Sequence, residues 1–209
     1  MGRVATNVYV DAFNLYYGCL KGTPYRWLDL GALCRRLLPK DEIKRIRYFT
    51  ATVSARPDNP HAPQRQQVYL RALETIPGLS IHYGHYLSHV TRMPLARPRR
   101  GARSVEVMKT EEKGSDVNLA TFLLLDAFKS DCQVAVVISN DSDLKLPIEV
   151  AQHELGLRVG VVNPHPPERR SRALQPTFFK QIRTSALAAC QFSPVLRDTR
   201  GEIRKPSRW

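Results

Sequence analysis

Apolar residues along the chain follow two alternating rhythms. Val4–Val10 (VATNVYV) is a short β-branched run that ends at Asp11, and it predicts a buried first strand. Leu30, Leu33, Cys34, Leu37 and Leu38 recur at helical spacing within Leu28–Leu38, and Pro39 ends that helix. Ile43–Val53 (IKRIRYFTATV) predicts a second strand, and Gln64–Ile76 a helix stopped by Pro77 and Gly78. Leu79–Leu87 predicts a third strand. Ser104–Lys109 reads as an added edge strand beyond an arginine-rich loop. Asp116–Phe128 carries Val117, Ala120, Leu124 and Ala127 on one face of a helix. Gln133–Ile138 (QVAVVI) is nearly all apolar, as a strand covered on both faces must be. Ser142–Leu155 is helical in pattern, and Arg158–Val162 is the next strand.

Strands that alternate with helices predict an α/β fold: a central, mostly parallel sheet flanked by helices on both faces. In such sheets the ligand crevice lies beyond the carboxyl ends of the strands. Asp11 directly follows the first strand, and Asp141 and Asp143 follow the Gln133–Ile138 strand. Asp116 begins a helix that leads back into the sheet. All four acids are therefore expected at one edge. A chain of 209 residues suits one well-packed domain, set here at residues 1–190, with a basic tail over residues 191–209. The tail (SPVLRDTRGEIRKPSRW) has turn signals at Asp198 and Gly201 and reads as a hairpin-like appendage.

Charge sharpens the picture. The formal net charge is +13, and the segment Arg92–Arg103 contributes five arginines and no acid. The stretch Pro194–Trp209 sets five basic residues against Asp198 and Glu202. Basic segments around an acidic centre point to a polyanionic substrate, held through phosphates. No stretch approaches the roughly 20 apolar residues that cross a bilayer, and the N-terminus has no signal-peptide pattern. The expected compartment is the cytoplasm, with no membrane partner. Cys19, Cys34, Cys132 and Cys190 are widely spaced, without the rhythm of a zinc site. On a strand, His85 and His89 share one face and His82 takes the other, which argues against a three-histidine metal site. Tyr16, Tyr17, Tyr25 and Trp27 lie near the first acid in sequence, as base-stacking candidates or as core.

Cleaving a phosphodiester requires activation of water, neutralisation of phosphoryl charge and stabilisation of the leaving alkoxide. Mg²⁺ or Mn²⁺ serves all three, and these hard ions are held by carboxylates and water. Converging carboxylates repel one another without a cation, so the cluster itself predicts a metal. Asp141 and Asp143 sit two apart in SNDSD, where Ser139 and Asn140 are placed to hydrogen-bond a carboxylate or a phosphate. Asp141 and Asp116 also have a plainer role open to them, as helix caps. Asn14, three residues after Asp11, is a candidate to orient water or hold a phosphate oxygen. Lys113 is a candidate partner for a phosphate or a site carboxylate.

The blocks VYVDAFNLYYG, EEKGSDVNLA and VVISNDSDLKLPIEVAQHELGLRVGVV together resemble the NYN domain family, relatives of the PIN nucleases. They occur in the family's order and cover most of residues 4–163. The ending RKPSRW is similar to the C-terminal stretch of many bacterial members. The resemblance implies a PIN-like three-layer α/β fold, Mg²⁺ or Mn²⁺ dependence and hydrolysis of RNA. It implies that Asp11, Asp116, Asp141 and Asp143 are the metal-site acids, with Asn14 and Ser139 as supporting groups. Ala12 and Asn140 depart from the family, standing where glycine is common.

The leading expectation is a ribonuclease that cuts single-stranded or locally unpaired RNA with a metal-activated water and leaves a 5′-phosphate. Arg97, Arg99, Arg100 and Arg103 are the candidates for holding the strand. The alternative keeps the fold and discards turnover, as a regulatory RNA-binding module. A haloacid-dehalogenase-type phosphohydrolase needs a second Asp two residues after the first, and Phe13 stands there. A dinucleotide-dependent oxidoreductase is disfavoured, because no GxGxxG follows the first strand. A homodimer is open.

Overall fold

The computed structural model describes residues 2–55, 57–99, 102–207 and 209. Its centre is β1 (Val4–Asp11), which pairs in parallel with β2 (Asp41–Thr50) on one side and β6 (Val134–Ile138) on the other. β3 (Leu79–Tyr83), β7 (Arg158–Asn163) and β8 (Phe178–Gln181) complete a six-stranded parallel sheet in the order β3-β2-β1-β6-β7-β8. The apolar runs of β1, β6 and β7 belong in the middle because both faces there are covered.

Alternate residues of β1 feed two hydrophobic layers. Val8 and Val10 join Val134, Val136 and Ile138 against α2 (Leu30–Leu37) and α3 (Ala62–Leu73). Tyr9 points the other way, joining Ala135, Val137, Val159 and Val161 against α4 (Ser115–Phe128) and α5 (Lys145–His153). Helices on both faces of a parallel sheet make the three-layer α/β fold expected from the sequence. Leu33, Leu73, Leu119 and Leu123 are fully buried, each contributing about 1.5–3 kcal/mol by removal from water.

A buried polar network locks α4 across β1 and β2. The Asp126 carboxylate accepts two 2.8 Å bonds from the Arg47 guanidinium and one from the Tyr9 hydroxyl at 2.8 Å. Asn7 donates to both Asp126 and Asp131, and Asp131 also accepts from Lys44 and Arg45.

Three features depart from the sequence pattern. The expected Leu79–Leu87 strand divides at Gly84, whose N–H donates to the Thr50 carbonyl at 2.7 Å. A Cβ at Gly84 would overlap Glu112 and the Lys113 carbonyl, so the chain turns there into β4 (His85–Arg99). β4 pairs antiparallel with β5 (Ala102–Lys113) as a separate two-stranded ribbon. Ser104–Lys109, expected as an edge strand of the sheet, instead lies within this ribbon. Beyond β7, the strand β8 and the helix α6 (Thr184–Ala189) had no sequence signal. Phe178 of β8 lays its ring over Gly160, where a Cβ would clash with it.

The tail forms the hairpin β9 (Val195–Asp198) and β10 (Gly201–Arg204), turning at Gly201 with φ 112°. Ile203 is buried, Trp209 packs edge-on to Trp27 and Tyr69, and Arg71 of α3 binds Asp198 through two guanidinium nitrogens. No helix among the described residues is long and apolar enough to cross a membrane.

Candidate active site

Strand numbering runs outward in opposite directions on either side of β1 and β6, which makes that pair the topological switch point where α/β sheets bind ligands. Val10 pairs with Ile138, so Asp11 at the end of β1 and Ser139 just past β6 stand side by side at the carboxyl edge. The Ser139 hydroxyl, fully buried, donates to Asp11 Oδ2 at 2.9 Å. It also accepts the Asp141 N–H at 3.1 Å. The Asn14 N–H donates to Asp11 Oδ1 at 2.9 Å, so Asp11 caps the short helix α1 (Ala12–Leu15) that it precedes. Asn14 in turn accepts the Asn140 N–H on Oδ1 at 2.9 Å. Asp141 caps the 3-10 turn Ser142–Leu144 by accepting the Asp143 N–H at 2.9 Å. The capping roles are real, and they fix the orientation of two carboxylates whose remaining lone pairs are uncommitted among the described residues.

Asp116 arrives on α4. Gly114 at φ 97° allows the tight entry, and Glu112 accepts both the Ser115 N–H at 3.0 Å and the Ser115 hydroxyl at 2.7 Å. This puts Asp116 in the first turn of a helix whose N-terminus favours negative charge. Burial raises the Asp11 carboxyl to about 7. The bonds from Asn14 and Ser139 oppose that rise, while repulsion from Asp116 and Asp141 adds to it. Asp116 is also raised, by burial first and then by Asp141, Glu112 and Asp143. Asp11 thus lies within reach of the charges of Asp116 and Asp141, and Asp116 within reach of those of Asp141 and Asp143. Glu112 is a fifth acid, beside Asp116, that sequence reasoning missed, and its signal was an acid three residues before Ser115 at a helix start.

Among the described residues, no three His, Cys, Asp or Glu side chains form a finished cage for one ion. Mg²⁺ asks for less than a cage: one or two carboxylates, with waters and substrate phosphates filling the rest. The oxygen donors of Asp11, Asp116, Asp141 and Asp143 are of the hard type that Mg²⁺ and Mn²⁺ prefer, and their mutual repulsion favours a cation. In donor type, though not as a formed cluster of three among the described residues, these acids suit a hard divalent ion.

The other candidates divide. Asn14 and Ser139 bond to Asp11, and Asn140 bonds to Asn14. Lys113 is exposed and pairs with Glu111 at 3.4 Å, not with a site carboxylate. Arg97 lies on β4 and Arg103 on β5, both exposed in the outer half of the ribbon. Arg100 lies outside the described residues, and only the backbone of Arg99 is described. Arg103 is ten residues from Lys113, roughly 33 Å along an extended strand. The ribbon thus carries Arg97 and Arg103 away from the acids. Trp27 is core, and Tyr17 is exposed beside Lys21. His82 stacks on Phe49 and Phe122, and His85 and His89 are exposed on β4.

Asn140 makes a connection the sequence did not reveal. Its amide donates to the Arg169 carbonyl at 2.8 Å and accepts the Ser171 N–H at 2.7 Å. The loop after β7, with its three arginines Arg169, Arg170 and Arg172, is thereby tied to the acid turn.

The chain has relatives among known proteins. The chain is 31% identical to 6-hydroxy-3-succinoylpyridine 3-monooxygenase HspA of Pseudomonas putida (strain DSM 28022 / S16), over 98% of this chain and 75% of that protein. It shares its fold with the crystal structure of VPA0982, a protein of unknown function from Vibrio parahaemolyticus RIMD 2210633. The TM-score is 0.56 and the identity 20%, over 87% of this chain and 94% of the other. Residues 5–180 match the model of the NYN domain, from β1 through β8. The chain belongs to the NYN domain family.

Proposed function

We propose that this protein is a divalent-metal-dependent ribonuclease acting at the Asp11–Asp116–Asp141–Asp143 centre. The observation that carries the reading is the meeting of Asp11 and Asp141 at the sheet's switch point, where the Ser139 hydroxyl donates to Asp11 and accepts the Asp141 N–H. Asp11 and Asp141 are the acids placed to hold an ion, because their backbone and hydroxyl bonds already fix their orientation. Asp143, exposed two residues on, closes the cluster from the solvent side. Asp116 sits on a separate element, suited to hold a second ion or to orient the attacking water. A bound Mg²⁺ or Mn²⁺ supplies Lewis acidity toward phosphoryl oxygens and water. Water attacks phosphorus, the bond to the 3′ oxygen breaks, and the products are a 5′-phosphate and a 3′-hydroxyl. The partner is single-stranded or locally unpaired RNA, and the setting is cytoplasmic.

The relative's monooxygenase name is not carried over, since β1 leads into Asp11-Ala12-Phe13-Asn14 without a glycine-rich dinucleotide turn. A second reading, a regulatory RNA-binding module that cleaves slowly or not at all, draws on the lack of a finished ligand set among the described residues.

The test is incubation with labelled single-stranded and structured RNAs in Mn²⁺, Mg²⁺ or EDTA, beside Asp141→Asn. Metal-dependent cleavage that falls at least about 100-fold in the variant is the expected result. Binding without cleavage across the panel would favour the regulatory module. Oxygen-dependent hydroxylation of 6-hydroxy-3-succinoylpyridine would overturn both.

A further inference from the structure

The loop that follows β7 lies at the same carboxyl edge as Asp11 and Asp141, because β7 is the parallel neighbour of β6. Its sequence, PHPPERRSR over residues 164–172, offers three arginines against Glu168. Arg169, Arg170 and Arg172 are exposed, and none is paired with a carboxylate among the described residues. Arg170 lies over the Phe179 ring at 3.5 Å.

The loop is held in place on several sides. Asn163 binds His165 in both directions, donating to its carbonyl at 3.0 Å and accepting its N–H at 3.0 Å. Gln181 of β8 donates to the same carbonyl at 2.7 Å. Pro164 and His165 press on Gly18, in the turn that continues from the Asp11 helix, so closely that a Cβ there would sit 3.0 Å from the Pro164 carbonyl carbon. Asn140 fastens the arginine stretch to the acid turn. Beside that stretch is a groove of about 510 Å³, lined in part by Pro167, Arg170, Ser171, Arg172 and Leu174.

Resting on the ribonuclease reading, the geometry points to this loop as the phosphate cradle that leads RNA to the acids. Arg169, Arg170 and Arg172 contact successive phosphates, and Asn140 is the positioning residue that sets their distance from Asp141. Guanidinium groups fixed on a braced loop lose little freedom when they meet a phosphate. Asparagine at position 140 has a physical reason under this scheme: glycine has no side chain to make either bond to the loop. Arg97 and Arg103, in the outer half of the ribbon, are left to distal RNA.

The experiment uses full-length protein with Asp141→Asn as background, binding a fluorescent single-stranded RNA in Ca²⁺ over a range of salt. Removing two contacts by Arg169→Ala with Arg172→Ala is expected to reduce the slope of log K against log salt by about 1.4. Arg170 is left in place because its stacking on Phe179 has a structural share. In the active background, Asn140→Gly is expected to raise KM several-fold with kcat little changed, a split that general loss of folding would not give. An unchanged salt slope in the arginine double variant, with a reduced slope in Arg97→Ala with Arg103→Ala, overturns the cradle and leaves the nuclease reading intact. Absence of both RNA binding and cleavage in the unmutated protein removes the nuclease reading and the cradle with it. Full cleavage with an unchanged KM in Asn140→Gly overturns the anchoring role.

Discussion

Replacing Asp11 by asparagine deletes one negative charge from a buried turn and keeps the shape of the side chain. Asparagine caps a helix as well as aspartate does, so its oxygen still accepts the Asn14 N–H. At Oδ2 the new amide faces the Ser139 hydroxyl, which loses its acceptor at a cost of about 1 kcal/mol. Against that stands the cost of ionising the native carboxyl. Lifting it from 3.8 to about 7 opposes the metal-free fold by about 4 kcal/mol once the group is charged, at about 1.36 kcal/mol per tenfold change in proton affinity. The folded state binds the proton more tightly than the unfolded chain, so this contribution is favourable below 3.8 and is lost as pH rises through about 7. The variant escapes that loss. In EDTA at about pH 8.5 it should be more stable by about 3 kcal/mol, and melt roughly 6–12 °C higher than the unmutated protein. At about pH 4 the order should reverse slightly, because only the lost hydrogen bond remains. Added Mn²⁺ should raise the melting temperature of the unmutated protein and move the variant far less. The assay is thermal unfolding followed by circular dichroism in a pH series with and without the ion. Equal or lower stability of the variant at alkaline pH in chelator would refute the claim that Asp11 is held at an electrostatic cost.

Asp126→Ala should destabilise by about 3–5 kcal/mol, since it strands the largely buried Arg47 without its carboxylate. Urea unfolding of this variant beside an Arg47→Met with Asp126→Leu pair, which should lose less, checks the cause. Gly160→Ala should cost about 1–3 kcal/mol by overlap with the Phe178 ring, and Phe178→Val should recover part of it in a double-mutant cycle. The bonds from Arg45 and Lys44 hold the Asp131 carboxyl well below its usual range. Its contribution to stability should therefore be full above 3.8 and fade as pH falls below that value. Urea midpoints of Asp131→Asn and the unmutated protein should converge in acid and stay apart at neutral pH.

The sequence made the middle of the sheet legible because β1, β6 and β7 are covered on both faces, and such strands must be apolar throughout. β8 was silent for the opposite reason: its four residues, FFKQ, are half-buried and follow Pro176. The ribbon was obscured by Pro94 and Pro98, which read as loop, yet an antiparallel hairpin of two edge strands tolerates proline. The acids Asp11, Asp116, Asp141 and Asp143 were legible because each adjoins the end of a strand or the start of a helix. Glu112 and the 164–172 loop were not. Glu112 acts through a turn whose closeness depends on Gly84, some thirty residues earlier in the chain. The loop's place at the site rests on the Asn140 side chain, and no periodicity reports the direction of a side chain.

The bond from Ser139 to Asp11 joins residues 128 positions apart in the chain. Bringing such distant segments together is a slow, entropically costly event. Nothing that fails to seat β6 against β1 brings Asp11 beside Asp141, so a nascent or partly folded chain has only the local Asp141 and Asp143 turn to attract an ion. On the proposed function, a divalent ion held there would arrive after assembly, not as a template for it. Such an ion would bind the native state and slow unfolding, while the rate of refolding would stay where the pairing of the two strands sets it.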